Sequence, residues 1–388
     1  MKKIKILRII TRLNIGGPTI HTVLLNAKMD SERYESYLLA GTIESNESDM
    51  AYFADKYSIT PIYINSMSRE IRFIKDFIAL REIFKIIKKI KPDIVHTHTA
   101  KAGLLGRMAA IMTKVPIIIH TFHGNVFNGY FGRIKTKFFI WVEKILARFS
   151  TRIITISRQQ KNELINLGVV KESKIEIINL GFQFENVIPS KTDKGKFREM
   201  HSIPKDAKLI GIIGRLVPIK NHQLFLEIAE KIIKKHTNVY FSIIGDGELR
   251  GNIEKEILTQ KLSDRVFITG FIKNLKPVYA DLDLVLLTSN NEGTPVALIE
   301  AMACGKLVMS TRVGGVEDFI DNGMNGFYFP KGKSDLFVDE INIWMSNEEK
   351  YEMIKMNAKL KAIEKFSSAR LIGDIEELYQ KCFEGENI

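Results

Sequence analysis

The sequence predicts an α/β protein made of two doubly wound, Rossmann-like parallel-sheet domains facing each other across a cleft. Three observations carry that reading. Short apolar runs alternate with longer stretches of helical period from end to end, the pattern of parallel strands covered on both faces by helices. The 388 residues exceed the roughly 100–200 of a single domain. The charge divides as well: residues 1–185 hold 29 Lys and Arg against 16 Asp and Glu, and the remainder 28 against 29. The whole basic excess therefore sits in the first half, which points to two domains, the first of which meets something anionic.

Each element follows from its local pattern. In the first half, strands are predicted at 4–10 (IKILRII), 36–41, 61–64, 93–98 (DIVHTH), 116–121 and 152–156, each an apolar run too short for a helix. Helical spacing fills 20–29, 70–90, 102–113, 133–149 and 158–167. The second half repeats the scheme, with strands at 208–214 (KLIGIIG), 238–244 (NVYFSII), 265–269, 283–288 (DLVLLT) and 306–310 (KLVMS). The polar stretch 183–206, with Pro189 and Pro204, is the expected linker. Domains are expected at 1–185 and 186–367, with a closing helix at about 368–388 packing back onto the first. Ligands of such domains bind at the carboxyl ends of the strands.

Composition removes other classes. Hydrophobic residues at 45% and charged residues at 26% exclude disorder, collagen and coiled coil. No apolar run reaches the roughly 18 residues of a membrane span. Cys304 and Cys382 are too few for a disulfide framework, which suggests a reducing compartment. Arg8 and Arg12 interrupt the apolar core a signal peptide would need. A cytoplasmic protein is expected.

The residues that carry chemistry cluster after strands. Asn291 to Gly305 (NEGTPVALIEAMACG) follows DLVLLTS and runs into a helix. Thr294 suits the N-cap and Pro295 the first helical position, which would aim free N–H groups at an anion. Glu292 then precedes the helix and Glu300 lies inside it. Gly214-Arg215-Leu216-Val217-Pro218-Ile219-Lys220-Asn221 follows KLIGIIG, placing two cations where they can clamp a diphosphate. Gly16-Gly17-Pro18 is a strand-to-helix turn at which backbone can approach a ligand, and Gly314-Gly315 follows KLVMS. Gly245-Asp246-Gly247 imitates a dinucleotide fingerprint, but Asp246 would set a carboxylate against a pyrophosphate. His96, His98, His120 and His123 cluster, yet no Cys or second spaced histidine pair completes a zinc set. His96 and His120 read as structural, and His123 as a cleft residue past a strand end. Asp281-x-Asp283 looks like a metal-binding pair, but Asp283 opens a buried strand.

These residues together resemble retaining glycosyltransferase family 4, the group 1 glycosyltransferases of GT-B fold. The resemblance rests on the Glu292–Glu300 run with its EAMACG tail, the Arg215–Lys220 run and the early Gly-Gly loop. HTHTAKAGLLGR and HTFHGNVF resemble the branch that builds bacterial surface and capsular polysaccharide. Gln183 and Arg158 depart from the residues common in relatives. The resemblance implies that Arg215 and Lys220 hold the donor diphosphate, Glu300 the ribose, and Glu292 the sugar hydroxyls. Gly293, Thr294, Pro295 and Val296 lie on the donor side, Gly17 approaches donor phosphate and acceptor, and His123 is the active-site histidine. It implies a UDP-linked N-acetylhexosamine donor, a lipid-linked saccharide acceptor, and no metal or other cofactor.

Other readings of the same residues are a glycoside hydrolase, which would not need the Arg215/Lys220 clamp, a nucleotide-sugar 2-epimerase of the same architecture, and a non-catalytic nucleotide-sugar-binding subunit. The basic stretches suggest a further partner. Residues 69–91 carry eight Arg and Lys, and residues 131–152 combine Arg and Lys with Phe131, Phe138, Phe139, Trp141 and Phe149. Such helices can lie in an anionic membrane surface, although an ordinary core-facing helix with a solvated basic face has the same composition. No nucleic-acid-binding motif accompanies the charge. Peripheral placement on the inner face of the cell membrane is expected.

Overall fold

A computed structural model describes residues 3–14, 16–44, 49–124 and 133–385. The chain packs as two units, Met1–Gly181 with Ser368–Ile388, and Phe182–Ser367.

The sheet of the first unit contains β1 (Ile4–Ile10), β2 (Tyr34–Gly41), β3 (Ile62–Ile64), β4 (Ile94–His98), β5 (Ile117–Phe122), β6 (Arg152–Thr155) and β7 (Ile175–Ile177). Helices α1 (Gly17–Lys28), α2 (Ala51–Asp55), α3 (Phe73–Ile90), α4 (Ala100–Met112), α5 (Arg133–Phe149) and α6 (Arg158–Asn166) connect them. The strand order is β3-β2-β1-β4-β5-β6-β7, with every ladder parallel. Central strands are near-continuous apolar runs because both faces are covered. A charged side chain enters this core from β1. Arg8 on β1 is fully buried and donates to Asn26 Oδ1 and Ser36 Oγ, each at 3.1 Å.

The second unit repeats the winding. After α7 (Lys196–Met200) come β8 (Lys208–Ile213), α8 (His222–Ile233), β9 (Val239–Ile244), α9 (Arg250–Thr259), β10 (Val266–Gly270) and α10 (Lys276–Asp281). Then follow β11 (Leu284–Leu287), α11 (Val296–Ala303), β12 (Leu307–Thr311), β13 (Phe327–Phe329), α12 (Ser334–Ser346) and α13 (Glu349–Phe366). The order is β10-β9-β8-β11-β12-β13, again all parallel. In both units the order reverses beside the first strand. The switch points lie between β1 and β4 and between β8 and β11, where doubly wound sheets bind ligands.

The two-sheet α/β class is as predicted, and the predicted strands appear within two residues of their expected ends. Two strands escaped prediction. β7 and β13 have three residues each, too few to show a period. The stretch 183–206 is not an open linker. Phe184 and Phe197 are buried, and Ser190 and Asp193 form a reciprocal capping box. The chain enters the second unit at Phe182, itself buried, and leaves it at Ser367. The last helix, α14 (Ser368–Glu384), sets Leu371, Ile375, Leu378 and Tyr379 among Ile6, Leu25, Ile94, Ile119 and Ile154 of the first unit.

A buried ion pair ties α4 to α5. Arg107 donates to Glu143 Oε2 at 2.6 Å, with side-chain exposures of 0% and 11%. Glu143→Ala leaves that guanidinium unpaired and is expected to destabilise the first unit by about 3–5 kcal/mol. Adding Arg107→Met should recover most of the loss, as denaturant unfolding would show.

Candidate active site

In the second unit the site begins where β8 ends. Leu216 is buried, its N–H donates to the Asp246 carbonyl at 3.0 Å, and its own carbonyl accepts from the Leu249 N–H at 3.0 Å. A Cβ on Gly245 would stand 1.9 Å from the Gly214 carbonyl oxygen, and one on Gly247 2.6 Å from that of Leu216. The Gly245-Asp246-Gly247 pattern thus seats the Arg215 loop by close backbone approach. Arg215 is exposed, and its guanidinium makes no hydrogen bond or ion pair with the described residues.

Lys220 behaves differently. Its ammonium donates to Glu292 Oε1 at 2.6 Å, with side-chain exposures of 21% and 11%. Ser289 Oγ donates to the same carboxylate oxygen at 2.6 Å. Two further bonds lock the loops together: Thr288 Oγ1 donates to the Lys220 carbonyl at 3.0 Å, and the Asn290 N–H to that of Ile219 at 2.8 Å. Gly314 adopts a left-handed φ of 52°, and a Cβ there would fall 1.7 Å from the Glu292 carbonyl oxygen. No side chain fits, so the Gly314-Gly315 turn fixes the backbone of Glu292 from the β12 side. Glu292, Lys220 and Ser289 form one charge-assisted cluster at the switch point.

The helix after this loop starts one residue later than predicted. Pro295, not Thr294, occupies the N-cap of α11, and no side chain caps it. Pro295 has a ψ of 86°, outside the helical range, while its carbonyl accepts from the N–H groups of Leu298 and Ile299. Val296 is therefore the first helical residue, and Gly293 is exposed in the loop before it. Helices leave their first N–H groups without internal partners, so α11 offers donors beside the Lys220–Glu292 pair. Glu300 sits in the second turn and accepts from the Tyr279 hydroxyl at 2.9 Å. Burial pushes its carboxyl up to about 6, and the Tyr279 bond pulls the other way.

Asp281 and Asp283 have structural employment. Asp281 is buried and accepts from the N–H groups of Gly195 at 2.6 Å and Arg198 at 3.0 Å. Asp283 Oδ2 accepts from the Arg198 guanidinium and the Leu209 N–H, each at 2.8 Å.

In the first unit, β1 leads through Gly16, the N-cap of α1, to Gly17 at its first position. His96 is saturated, with Nδ1 2.7 Å from the Tyr379 hydroxyl and Nε2 2.7 Å from Thr121 Oγ1. His120 Nδ1 lies 2.8 Å from Thr97 Oγ1. His98 and His123 differ, for they bond each other: His98 Nδ1 lies 3.0 Å from His123 Nε2. His21 of α1 packs edge-on against both rings, 5.5 Å from His98 and 4.9 Å from His123 between centroids. Burial lowers His123 to about 3, so its imidazole is neutral at any ordinary pH. Burial likewise pushes His21 and His98 well below the usual imidazole range. Among the described residues, this trio is the one group of His, Cys, Asp and Glu that could hold a metal ion. Asn125, Val126 and Phe127 of the HTFHGNVF stretch lie outside the described residues.

Of the predicted residues, the structure brings Lys220 and Glu292 into contact and sets Gly293, Thr294, Pro295 and Val296 directly after them. Arg215 stands apart from that pair, and Glu300 pairs with Tyr279. Sequence reasoning missed Ser289, Tyr279, His21 and the partnership of His98 with His123. Ser289 could have been found as the last residue of DLVLLTS, three before Glu292. His21 carries no such signal.

The description "Glycosyl transferases group 1" matches residues 193–361, and "Glycosyltransferase Family 4" residues 15–185. The capsular polysaccharide biosynthesis glycosyltransferase CapM of Staphylococcus aureus is 30% identical over 328 residues, 82% of this chain and 84% of that protein. The UDP-Gal:α-D-GlcNAc-diphosphoundecaprenol α-1,3-galactosyltransferase of Escherichia coli is 28% identical over 326 residues, 83% of this chain and 84% of that protein. In fold, the chain is similar to Anabaena HepE, crystallised in complex with UDP. The TM-score is 0.83 at 21% identity, covering 97% of this chain and 100% of that one.

The buried carboxyl of Glu300 makes stability depend on pH. Its folded value, about 6, lies above its ordinary 4.5, so the folded state disfavours the ionised form. Below about 4.5 the group is neutral in both states, and stability falls as pH rises through 6. The loss totals roughly 2 kcal/mol, at about 1.4 kcal/mol per pKa unit. Glu300→Gln should therefore gain roughly that amount on the wild type between pH 4 and pH 7.5, read as unfolding midpoints of the second unit.

Proposed function

This chain belongs to glycosyltransferase family 4, the group 1 glycosyltransferases, and from that premise we propose a retaining, metal-independent sugar transfer. A sugar leaves a nucleoside-diphosphate donor, UDP-linked N-acetylhexosamine by the branch resemblance, and joins a hydroxyl of a lipid-linked saccharide in surface-polysaccharide assembly. The relatives support the acceptor class. The E. coli relative is named for a diphosphoundecaprenol-linked acceptor and a UDP-galactose donor, and a poly(ribitol-phosphate) relative from S. aureus for N-acetylglucosamine transfer.

The observation that carries the proposal is the cluster at the switch point of the second unit. There Lys220, held by Glu292, the start of α11 and the exposed Arg215 supply positive charge. Cleavage of the bond between anomeric carbon and phosphate oxygen leaves its electron pair on the diphosphate. Lys220 and the α11 N–H groups, aimed in advance, and the exposed Arg215 stabilise that charge. Glu292 aims Lys220 and presents its second oxygen to the sugar hydroxyls, and Glu300, oriented by Tyr279, takes the ribose. The acceptor hydroxyl attacks from the face the leaving group quits, and its proton passes to the departing phosphate oxygen. His123, neutral at working pH, serves as a hydrogen-bonding group that orients rather than as a general base.

A transfer assay with UDP-N-acetylglucosamine or UDP-galactose and a lipid-linked saccharide tests this. A product that retains the donor's anomeric configuration, at a rate indifferent to EDTA, is expected. Arg215→Ala and Lys220→Ala should each weaken donor binding by about 1.5–3 kcal/mol. An inverted product, full activity in either variant, or loss to EDTA with rescue by Mn²⁺ would overturn the reading.

We further propose that the first unit docks on an anionic membrane surface. No helix among the described residues is long and apolar enough to cross a membrane. On α3, however, Phe73, Ile74 and Phe77 are 87%, 80% and 61% exposed, beside exposed Lys75, Arg81 and Lys85. On α5, Phe138, Trp141 and Phe149 are exposed beside Lys137, Lys144 and Arg148. Phe131 lies outside the described residues. α4 touches both helices and exposes Met112. α3 turns Ala79, Ile83 and Ile87 to the core, and the rings left exposed beside its basic residues are what favours docking over a merely solvated basic face. Each basic residue near the surface contributes on the order of 1 kcal/mol. Salt-sensitive co-sedimentation with anionic but not neutral liposomes is expected, reduced in a Phe73→Ser/Phe77→Ser variant. Equal sedimentation with both lipids, or with neither, refutes the docking.

A further inference from the structure

We propose that His21, His98 and His123 form a binding site for one imidazole-preferring transition-metal ion, zinc foremost, whose occupancy silences sugar transfer. The silencing rests on the role of His123 in the reading above, whereas the binding does not.

The three side chains come from separate elements, α1, the end of β4 and the loop after β5, and offer ligand atoms all within 4.8 Å of one another. The nitrogens of His98 and His123 that face each other share one hydrogen bond, which an ion bound between them would replace, while His21 has no bond to give up. Among the described residues, both ring nitrogens of His21, Nε2 of His98 and Nδ1 of His123 are buried without a hydrogen-bond partner. Buried polar atoms in that state call for a ligand or a water. His96 is excluded from the set because Tyr379 and Thr121 hold both its nitrogens. Zinc–imidazole bonds of about 2.0–2.1 Å put tetrahedral ligand atoms roughly 3.3 Å apart. The His98–His123 pair already stands at 3.0 Å. The outermost pair must close by roughly 1.5 Å, within reach of a side-chain rotation.

The donor set also selects its ion. Three neutral nitrogens and no carboxylate give little hold on magnesium or calcium, which take oxygen ligands, and suit zinc, copper, nickel or cobalt. Fully buried Arg8 is close enough to act electrostatically on His21 and His98. Its charge opposes any cation held by attraction alone and leaves ions that form strong bonds to imidazole. Three protein ligands leave a fourth position open, unlike a closed structural site. The ion takes one nitrogen of His123 and fixes the ring that would otherwise orient the sugar, so transfer stops while metal is bound and resumes when it is removed.

Metal-stripped full-length protein titrated with Co²⁺, and with Zn²⁺ in competition, tests the site. One equivalent with the intense visible absorption of tetrahedral cobalt is expected. His21 is outside the transfer machinery, so His21→Gln should keep its basal rate. It should lose metal affinity by more than the roughly 10–100-fold that a lost outer-shell partner costs. Zn²⁺ should inhibit the wild type reversibly, with EDTA restoring the rate, and inhibit His21→Gln only at more than about tenfold higher concentration. Should His21→Gln misfold, ring NMR of the wild type reads the same site, with resonances of three histidines moving together at one equivalent of Zn²⁺. No uptake by the wild type, unchanged affinity in folded His21→Gln, or a shift of other histidines overturns the site. Binding that depends on His21 yet leaves transfer untouched overturns the silencing and the role given to His123, with the site itself upheld.

Discussion

A parallel sheet covered on both faces leaves chemistry only at the ends of its strands, and everything else in this protein answers to that constraint. β4 and β5 are buried at every position, so a polar side chain within them must find its partner inside. His96 does so with Thr121 and Tyr379, and His120 with Thr97. At the carboxyl edge the rule relaxes. His98 and His123 satisfy one nitrogen each through the other and keep one in reserve. One residue type in one short stretch thus serves as internal fastening or as reactive edge, according to its distance from the strand end.

The second unit meets the same constraint with charge. Three loops, after β8, β11 and β12, converge on the backbone and side chain of Glu292. The Lys220 ammonium neutralises its carboxylate, Ser289 orients it, and the absence of a side chain at Gly314 lets the turn close on it. Such a cluster is preorganised in the strict sense: its donors are aimed before any substrate arrives. Arg215, exposed and held through its buried neighbour Leu216, is its complement. The division matches the different aptitudes of the two cations, a compact point charge that can be pinned and a planar fork that can follow a ligand.

Much of this was legible in the amino-acid order, for identifiable reasons. Strands such as IKILRII and KLIGIIG read clearly because burial on both faces removes polar residues from them. The loops at the switch points read clearly because Arg215, Lys220, Glu292 and Glu300 are charges placed where an α/β fold has little structural use for them. What failed depended on contacts distant in sequence. His21 is 77 positions from His98, and no spacing rule joins a helix to a strand end so far away. The sequence sets Asp281 and Asp283 aside as a metal pair because Asp283 opens a buried strand, but nothing in it announces Arg198, more than 80 residues upstream, as the residue that occupies both. The start of α11 was misplaced by one residue because Pro295 suits the N-cap as well as the first turn, and only its ψ decides. The stretch 183–206 was polar on average yet pinned by two buried phenylalanines, which an average conceals.

The return of α14 to the first unit has a consequence in time rather than in space. The sheet of that unit is complete in sequence by Ile177, yet the Tyr379 that bonds His96 and approaches Arg8 emerges some two hundred residues later. During synthesis from the amino terminus, domains generally fold as they emerge. Here the first unit must wait with one nitrogen of His96 unanswered, and part of its core open, while the whole second unit is made. The half translated first is therefore the half finished last, and the emergence of α14 is the event that seals it.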